Sequence, residues 1–333
     1  MNSFNFNSIP KIDLCTLPTP IQYLKRLSEH LKSVNVYIKR DDLTGVAFGG
    51  NKNRKLEFLL ADALKKNADV IITEGALTSN HCLQTAACAS KVGLECELVL
   101  SDASVGERIT GNLLLNQILD VKIHRVKSSE ERKKKMAEVA DSLIKEGKTP
   151  YIIPTGGSNR IGILGYVLFL KEIADQSKNF GIDFDYLVFG TGSAGTQSGM
   201  LIGKALFYNK MKIIGVSAGD FKEEINSSIK QLLGEFQVDW NLDLQIKDSD
   251  IVVLDDYYGE GYGIPTDELI YTLKLIAKLE GIFLDPVYNG KAMVGLIDLV
   301  KKGIIPSNSN ILFLHSGGGP ALFAYDYVFG KKL

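Results

Sequence analysis

The stretch of sequence that decides the fold is Tyr186-Leu187-Val188-Phe189-Gly190-Thr191-Gly192-Ser193-Ala194-Gly195-Thr196. Its first four residues predict a buried strand, and a helix is predicted to begin at Gln197. Glycine-rich loops between a strand and a helix are common in α/β proteins, and their N–H groups can bind an anion. Many such loops bind nothing, and this one lacks both the G-x-G-x-x-G spacing and the Lys-Ser/Thr ending of a P-loop. Both interpretations of the loop stay open at this point.

The same alternation of short β-rich runs and helical runs extends along the chain from Val34. It predicts strands at residues 36–39, 69–73, 95–100, 121–126, 151–153, 186–189, 212–218, 251–254 and 310–315. It predicts helices at residues 53–66, 79–92, 109–119, 129–145, 161–174, 197–207, 221–236, 266–279 and 290–301. The polar residues 177–184 are expected to form a connecting turn. This pattern is typical of parallel sheets covered by helices on both faces.

The composition excludes several functional classes. The chain has 333 residues, of which 45% are hydrophobic and 23% are charged, and its formal net charge is −1. These values are ordinary for a globular protein and give no strong field for nucleic acid or a membrane surface. No apolar stretch reaches membrane-spanning length. The basic run at residues 132–135 is interpreted as a solvated helix face.

The N-terminus and the cysteines indicate the compartment. Residues 1–14 lack the basic and apolar regions of a secretory signal. The cysteines form no Cys-x-x-Cys pair, and no histidine completes the spacing of a metal site. They are Cys15, Cys82, Cys88 and Cys96. We expect reduced, mostly buried thiols, no metal site and a cytoplasmic protein.

A lysine lies on a second glycine-rich turn, Gly49-Gly50-Asn51-Lys52, just before an amphipathic helical run. The positive end of a helix dipole favours the neutral form of a nearby amine. A neutral amine that can form a Schiff base, beside an anion-binding loop, is what pyridoxal phosphate requires of a protein. Spacing alone also allows a solvent-facing lysine, and Lys39 and Lys55 compete for the same role.

Two further segments follow predicted strands. Ser79-Asn80-His81 begins a predicted helix, and serine and asparagine are good N-caps. The alternative is that this helix N-terminus binds a carboxylate. Gly317-Gly318-Gly319-Pro320 follows the last predicted strand, at the edge of the sheet where ligands bind in open α/β folds. Ser316 could face such a ligand or only cap the turn.

Taken together, these stretches resemble one family, the D-cysteine desulfhydrase and 1-aminocyclopropane-1-carboxylate deaminase group. This group has the tryptophan synthase β-like fold, fold type II of the pyridoxal phosphate enzymes. The matching segments lie in the expected order at residues 17–20, 37–42, 48–57, 78–81, 154–159, 192–196, 285–288 and 315–318. The resemblance implies an α/β fold with two open, mostly parallel sheets. It also implies a small domain, 54–162, inserted in a large one, 1–53 and 163–333, with the cofactor between them.

The resemblance assigns residues to the cofactor, pyridoxal 5'-phosphate. Lys52 would bond the cofactor and remove the Cα proton of the substrate. The phosphate would be held by Gly192, Ser193, Ala194, Gly195 and Thr196. Asn80 would contact the pyridoxal hydroxyl, and Ser316 would face the pyridine nitrogen.

The resemblance also assigns residues to a small amino-acid substrate. Ser79, Asn80 and His81 would lie at its carboxylate. Tyr262 and Tyr288 would flank it and, with Lys52 and Ser79, complete the catalytic set. A homodimer without nucleic-acid or membrane partners is expected.

Two positions favour the desulfhydrase side of the group. Deaminases carry glutamate and leucine where this chain has Asn289 and Ser316. A carboxylate at the pyridine nitrogen would keep the ring protonated and deepen its electron sink. Departures from the family pattern at Ala76, Thr78 and Leu83 lie in the substrate loop. They bear on the exact substrate more than on the cofactor.

The expected reaction is β-elimination from D-cysteine to pyruvate, hydrogen sulfide and ammonia. Alternatives are 1-aminocyclopropane-1-carboxylate deamination and elimination from a D-serine derivative or cysteate. An alternative from another class is a protein that binds a phosphate ligand without chemistry. Such a protein would not need Lys52.

Overall fold

The larger sheet of the computed structural model, which describes residues 9–102, 108–208 and 210–330, has six strands. They are β1 (Ile21–Tyr23), β2 (Asn35–Arg40), β7 (Tyr186–Thr191), β8 (Lys212–Ser217), β9 (Val252–Leu254) and β10 (Asn310–His315). Their order is β1-β2-β10-β7-β8-β9, and every pair is parallel except β1 with β2 at the edge. Parallel neighbours place the carboxyl ends of these strands along one edge.

The smaller sheet has four parallel strands in the order β5-β4-β3-β6. They are β3 (Val70–Ala76), β4 (Glu95–Ser101), β5 (Lys122–Val126) and β6 (Pro150–Ile152). All four lie inside the segment 54–162, for which a separate domain is expected. The two open, mostly parallel sheets confirm the predicted fold class, and the division into domains stays a prediction.

Helices connect the strands of both sheets. They are α1 (Lys25–Leu31), α2 (Asn51–Lys65), α3 (Asn80–Lys91), α4 (Gly111–Ile118), α5 (Ser129–Lys145), α6 (Leu164–Phe180), α7 (Gly195–Phe207), α8 (Lys222–Trp240), α9 (Asp267–Glu280), α10 (Asn289–Lys301), α11 (Gly319–Leu322) and α12 (Asp326–Phe329). Among the described residues, no helix combines the length and the apolar character needed to cross a bilayer.

Strand β10 shows how the larger sheet is covered on both faces. Ile311 and Phe313 belong to an apolar cluster with residues of α1, α9 and α10. Leu312 and Leu314 belong to a second cluster with residues of α6, α7 and α8. Because successive side chains of a strand point to opposite faces, the two clusters lie on the two sides of the sheet. This burial explains why the strands are continuous apolar runs in the sequence.

Some element ends differ from the sequence-based expectation. Helix α2 begins at Asn51, so Lys52 lies in its first turn instead of before it. The predicted turn at 177–184 is wrong, because α6 continues to Phe180. Gly181, at φ 66°, ends that helix in the left-handed conformation that glycine adopts without a steric penalty. Strand β1 was not predicted, since three residues carry no periodic signal.

A buried ion network anchors the start of α2. The Asp41 carboxylate accepts hydrogen bonds from Arg54 Nε and Nη2, both at 2.8 Å, and from the Tyr166 hydroxyl at 2.7 Å. Glu172 accepts from Arg54 at 2.9 and 3.0 Å and also pairs with Lys39. Two cations therefore balance two anions. Because Arg54 lies two residues after Lys52, the network fixes the turn that carries Lys52 against α6.

The cysteines form no disulfide in the described structure. All four cysteines are free, with Cys82 and Cys88 buried and Cys15 and Cys96 half-buried. Burial raises the pKa of both Cys82 and Cys88 to about 12. They are therefore protonated at neutral pH and act as apolar packing groups.

Candidate active site

A cavity of about 450 Å³ lies at the carboxyl ends of strands from both sheets. Its wall includes Ala76 at the end of β3, Ser101 at the end of β4 and Thr191 at the end of β7. The predicted site residues that line it are Lys52, Ser79, Asn80, His81, Gly192, Ser193, Ala194, Thr196, Tyr262, Tyr288 and Ser316. The fold therefore brings into one cavity residues that lie more than 260 positions apart in the sequence.

Lys52 presents a free amine to this cavity. Its main-chain N–H donates to Gln84 Oε1 at 3.2 Å, which holds the first turn of α2. Within the described part of the chain, its Nζ has neither a hydrogen-bond acceptor nor a carboxylate in range. Burial lowers the pKa of Lys52 to about 8. Near neutral pH an appreciable fraction of the amine is therefore uncharged and nucleophilic.

The two competing lysines are committed to other contacts. Lys39 is fully buried in the ion network with Glu172. Lys55 donates from Nζ to the Gly156 carbonyl at 2.9 Å and is fully buried. Neither side chain is part of the cavity wall. Lys52 is the lysine of the three that a ligand in the cavity can meet.

The loop between β7 and α7 offers N–H groups to an anion. Ala194, at φ 63°, turns the chain sharply into the helix. The N–H groups of Gly192, Ser193 and Thr196 find no acceptor among the described residues. The dipole of the 13-residue helix α7 adds positive potential at the same place. This arrangement suits a phosphate.

Gly195 begins α7 and packs against the 155–158 segment. Its N–H already bonds to Ser193 O at 2.7 Å and Ser158 Oγ at 3.2 Å, so it is not a free donor. A Cβ at Gly195 would lie 2.4 Å from Ser158 Oγ and 2.9 Å from Ser158 Cα. Glycine is required here because the 155–158 segment packs directly on the loop.

Short contacts join the lysine turn to the two other glycine-rich loops. Asn51 Nδ2 donates to Thr196 Oγ1 at 3.3 Å, and Asn51 N–H donates to Ser316 O at 3.0 Å. Gly50 and Gly317 form a β-bridge, and a Cβ at Gly317 would lie 2.6 Å from Gly50 Cα. A free amine and a loop with unpaired N–H groups are thus held next to each other, which fits pyridoxal phosphate.

Helix α3 brings its N-terminus to the cavity. Ser79 is its N-cap, and its Oγ accepts from Cys82 N–H at 3.2 Å, as the capping interpretation predicts. His81 Nε2 bonds to Thr73 Oγ1 at 2.8 Å, and Nδ1 lies 3.4 Å from Thr85 Oγ1. Burial, with the nearby charges of Lys52 and Lys55, lowers the pKa of His81 well below its usual value. Both nitrogens of its neutral ring are therefore already paired with threonine hydroxyls.

Asn80 is oriented by a residue that the sequence analysis missed. Asn112 Nδ2 donates to Thr78 O and to Asn80 Oδ1, both at 2.7 Å. A main-chain carbonyl can only accept, so the bond to Thr78 O shows that the NH2 end of the Asn112 amide faces this site. The atom of Asn80 that accepts from the same NH2 group must then be its oxygen. The Asn80 Nδ2 group is left to donate to a ligand. A polar residue in the short helix α4 gives no sequence signal for this role.

Two tyrosines form the opposite wall. The hydroxyls of Tyr262 and Tyr288 share a hydrogen bond of 3.0 Å, and the rings meet edge to face at 75°. Burial raises the pKa of both hydroxyls. Both therefore stay protonated, and the hydroxyl that accepts the shared hydrogen bond keeps its own proton to donate to a ligand.

The two positions that separate the subfamilies touch each other. Asn289 Oδ1 accepts from Ser316 N–H at 2.9 Å and from Ser316 Oγ at 3.1 Å. Asn289 Nδ2 donates to Asp285 Oδ1 at 2.6 Å and Gly317 O at 2.7 Å. Ser316 lines the cavity, and Asn289 is fully buried behind it. The wall at this point is neutral.

Four charged residues of the cavity wall were not predicted, namely Asp102, Lys127, Arg132 and Asp220. Arg132 was assigned to a solvated face, but its side chain is only 16% exposed, lies 3.5 Å from Glu74 and lines the cavity. Its helix α5 turns that one residue of the basic run inward. Asp220 follows β8, and burial, with the nearby Glu224 charge, raises the pKa of its carboxyl. The rule that ligands lie beyond the carboxyl ends of parallel strands could have pointed to Asp220.

The sequence was compared with known proteins. Residues 12–317 match the family model described as pyridoxal-phosphate dependent enzyme. The chain is 42% identical over 330 residues to a D-cysteine desulfhydrase of Klebsiella pneumoniae (strain 342), covering 98% of this chain and 99% of that protein. It is 43% identical over 324 residues to a Pyrococcus furiosus protein named as a candidate 1-aminocyclopropane-1-carboxylate deaminase, with 96% and 95% covered.

Solved structures agree with this assignment. An ACC deaminase homologue superposes with a TM-score of 0.89 at 40% identity, covering 97% of this chain and 96% of that one. O-ureido-L-serine synthase superposes with a TM-score of 0.64 at 17% identity, covering 100% and 98%, which shows the shared fold alone. The chain therefore belongs to the pyridoxal-phosphate-dependent enzymes, in the group of the D-cysteine desulfhydrases and 1-aminocyclopropane-1-carboxylate deaminases.

Proposed function

We propose that this enzyme catalyses β-elimination from D-cysteine. One water is consumed, and pyruvate, hydrogen sulfide and ammonia are released. The observation that carries the proposal is the neutral Asn289–Ser316 pair at the cavity wall, with Ser316 exposed to the cavity. The likeness to a D-cysteine desulfhydrase over nearly the full length supports it.

The residues that would hold the cofactor form one continuous surface. The free N–H groups of Gly192, Ser193 and Thr196 suit its phosphate, and Asn80 Nδ2 suits its hydroxyl. Ser316 Oγ would face the pyridine nitrogen, and Lys52 Nζ would meet the aldehyde carbon. When bound, pyridoxal phosphate withdraws the electron pair left on the substrate Cα as its proton leaves.

Lys52 would be the base that takes this proton at Nζ. A base with a pKa near 8 is well matched to work close to neutral pH. The hydrogen bonds of Asn51 to Thr196 and to the Ser316 carbonyl fix the position of the neighbouring Lys52 in the cavity. The lysine can therefore reach both the cofactor and the substrate from one position.

The substrate would lie between α3 and the tyrosine pair. Ser79 and the N-terminus of α3 present hydrogen-bond donors to its carboxylate. The hydroxyls of Tyr262 and Tyr288 remain protonated, so the one that accepts their shared hydrogen bond can donate its own proton in a hydrogen bond to the sulfur as negative charge develops there. The thiolate then leaves from Cβ with the bonding electron pair.

The neutral wall favours elimination over ring opening. A thiolate is a good leaving group, so β-elimination needs less stabilisation of the electron pair on Cα. Opening a cyclopropane ring needs more, which a carboxylate at the pyridine nitrogen would supply. Deamination of 1-aminocyclopropane-1-carboxylate is the second candidate, because relatives named for that activity are as similar to this chain as the desulfhydrase.

A substrate panel on the purified holoenzyme tests the proposal. The substrates are D-cysteine, L-cysteine, D-serine, cysteate and 1-aminocyclopropane-1-carboxylate. We expect equal amounts of sulfide and pyruvate from D-cysteine, and little or no 2-oxobutanoate from the cyclopropane. If no amino acid of the panel is consumed while the cofactor is bound, the proposal fails.

The assembly state and compartment belong to the same proposal. We propose a cytoplasmic homodimer that acts without nucleic acid or a membrane. Light scattering on the purified holoenzyme measures its mass, and a monomeric mass would contradict the dimer.

Cofactor affinity should depend on the fit between Gly195 and Ser158. In Gly195→Ala the new Cβ displaces the 155–158 segment and the phosphate loop together. Overpacking of about 1–3 kcal/mol predicts a loss of cofactor affinity of about tenfold or more, measured by titrating the apoenzyme. Gly234→Ala is the control, since a Cβ there meets nothing within 4 Å. Equal affinities in the two variants would show that the loop contact is only structural.

The rate at which the apoenzyme captures the cofactor should rise with pH and level off above about 8. Burial lowers the pKa of Lys52 to about 8, and only the neutral amine can attack the cofactor aldehyde. At pH 7 about a tenth of the amine is neutral, against less than about a thousandth for an unperturbed lysine. Stopped-flow absorbance measures the rate. A rate that still rises tenfold between pH 9 and 10 would contradict the lowered pKa.

A further inference from the structure

Lys291 is a buried lysine outside the set of residues proposed to meet cofactor or substrate. It lies on α10 and is 1% exposed. Its Nζ donates to Ala218 O and to Gly261 O, both at 2.8 Å. Among the described residues, no carboxylate lies within salt-bridge distance of Nζ. The buried ammonium therefore donates to two main-chain carbonyls and has no charged partner in range, which is unusual because buried charges in proteins are normally paired.

The two carbonyls belong to segments that form the cavity wall. Ala218 follows β8 and lines the cavity. Gly261 directly precedes Tyr262, which lines it from the other side. A single side chain thus ties the end of β8 to the loop that carries Tyr262.

The loop around Tyr262 is rich in glycine. Gly259, Gly261 and Gly263 have φ values of 70°, 153° and 71°, so three of five consecutive residues are glycines in positive-φ conformations. Glycine loses more conformational freedom on ordering than other residues do. Contacts from outside the loop therefore contribute to holding Tyr262 in one place.

Gly219 supplies the complementary packing. A Cβ at Gly219 would lie 2.7 Å from Tyr262 Cβ and 2.8 Å from Tyr262 Cα. The backbone of Tyr262 thus rests directly on the segment that Lys291 also holds. The hydrogen bonds from Lys291 pull the two segments together, and the missing side chain at Gly219 allows the close approach.

We propose that Lys291 is a positioning residue for Tyr262, and that by closing the Tyr262 loop onto the end of β8 it sets the affinity of the cavity for the amino-acid substrate. This inference rests on the proposed function, in which Tyr262 flanks the substrate. We expect cofactor affinity to change little, because neither carbonyl belongs to the loop at residues 192–196. Burial lowers the pKa of Lys291 to about 8, although the nearby charge of Asp285 acts to raise it.

The test measures binding of D-alanine, which has no β leaving group, by the change it causes in the visible band of the holoenzyme. Lys291→Met removes the donors and keeps the length of the side chain. Losing these two hydrogen bonds should raise the Kd for D-alanine about tenfold and leave the Kd for the cofactor within about twofold. Gly219→Ala should raise the same Kd without touching the lysine. Lys301→Met, on the exposed end of α10, is the control and should change neither.

A double-variant cycle separates positioning from general stability. If Lys291 acts through Tyr262, then Lys291→Met should have no further effect on the D-alanine Kd in a Tyr262→Ala background. Full additivity in the cycle would overturn the inference, and so would an unchanged D-alanine Kd in Lys291→Met. A wild-type holoenzyme that responds to neither D-alanine nor D-cysteine would overturn the proposed function, and the inference with it.

Discussion

Lys52→Arg should lower the rate of D-cysteine turnover roughly a thousandfold or more while the protein stays folded. The guanidinium is charged at all relevant pH values and can neither bond the cofactor nor accept the Cα proton. In the wild type, borohydride reduction should fix the cofactor to one peptide, with the label on Lys52. Steady-state assays and peptide mapping measure the two effects.

Lys65→Arg is the matched control, since Lys65 is an exposed lysine on the same helix. It should keep both the activity and the label. Lys39 and Lys55 are buried away from the cavity, so we expect no label on them. A label on either would contradict the assignment of Lys52. A wild type that shows no visible absorption band after cofactor is added would contradict the proposal that the cavity binds pyridoxal phosphate.

Arg54→Met should destabilise the fold by about 3–5 kcal/mol, because it leaves the carboxylates of Asp41 and Glu172 buried without their main partner. Urea unfolding of the apoprotein measures the change. Arg160→Met breaks an ion pair with Asp239 whose arginine is 55% exposed, and it should cost less than about 1 kcal/mol. Equal losses in the two variants would show that the buried network is no more important than a surface pair.

The same network predicts an acid-sensitive part of the stability. Burial acts to raise the pKa of Glu172, but the hydrogen bonds and charges of Arg54 and Lys39 outweigh it and lower the pKa to about 2. A carboxyl whose pKa is lowered by folding stabilises the protein above its unfolded pKa. That contribution is lost as the pH falls from about 5 towards 2. The loss should be smaller in Arg54→Met.

The sequence predicted those parts of the molecule that depend on local pattern. Short continuous apolar runs that alternate with helical runs predicted the parallel strands, because strands buried on both faces have apolar side chains on both sides. Glycine-rich turns after strands pointed to the loop at residues 192–196 and to the turn of Lys52, which line the same cavity. The family resemblance then supplied the set of residues that the cavity brings together.

Contacts between distant segments were not predictable in this way. The hydrogen bond from Lys291 to Ala218 O and the one from Asn112 to Asn80 each join residues on different elements. A single polar residue in a helix gives no sequence signal of its partner. Arg132 was misassigned because three neighbouring lysines made its whole segment resemble a solvated face. The end of α6 was placed too early because polar residues continue the helix as far as Gly181.

The central claim is that a neutral Asn289–Ser316 pair directs the enzyme to elimination. The most direct measurement is the ratio of sulfide release from D-cysteine to ring opening of 1-aminocyclopropane-1-carboxylate, in the wild type and in the Asn289→Glu, Ser316→Leu double variant. One pK unit in such a contact corresponds to about 1.4 kcal/mol, or about tenfold in rate. We predict a wild-type ratio far above one, and a shift of about tenfold or more towards ring opening in the folded double variant. A wild type that opens the ring as fast as it releases sulfide, or a ratio that the double variant leaves unmoved, would contradict the account.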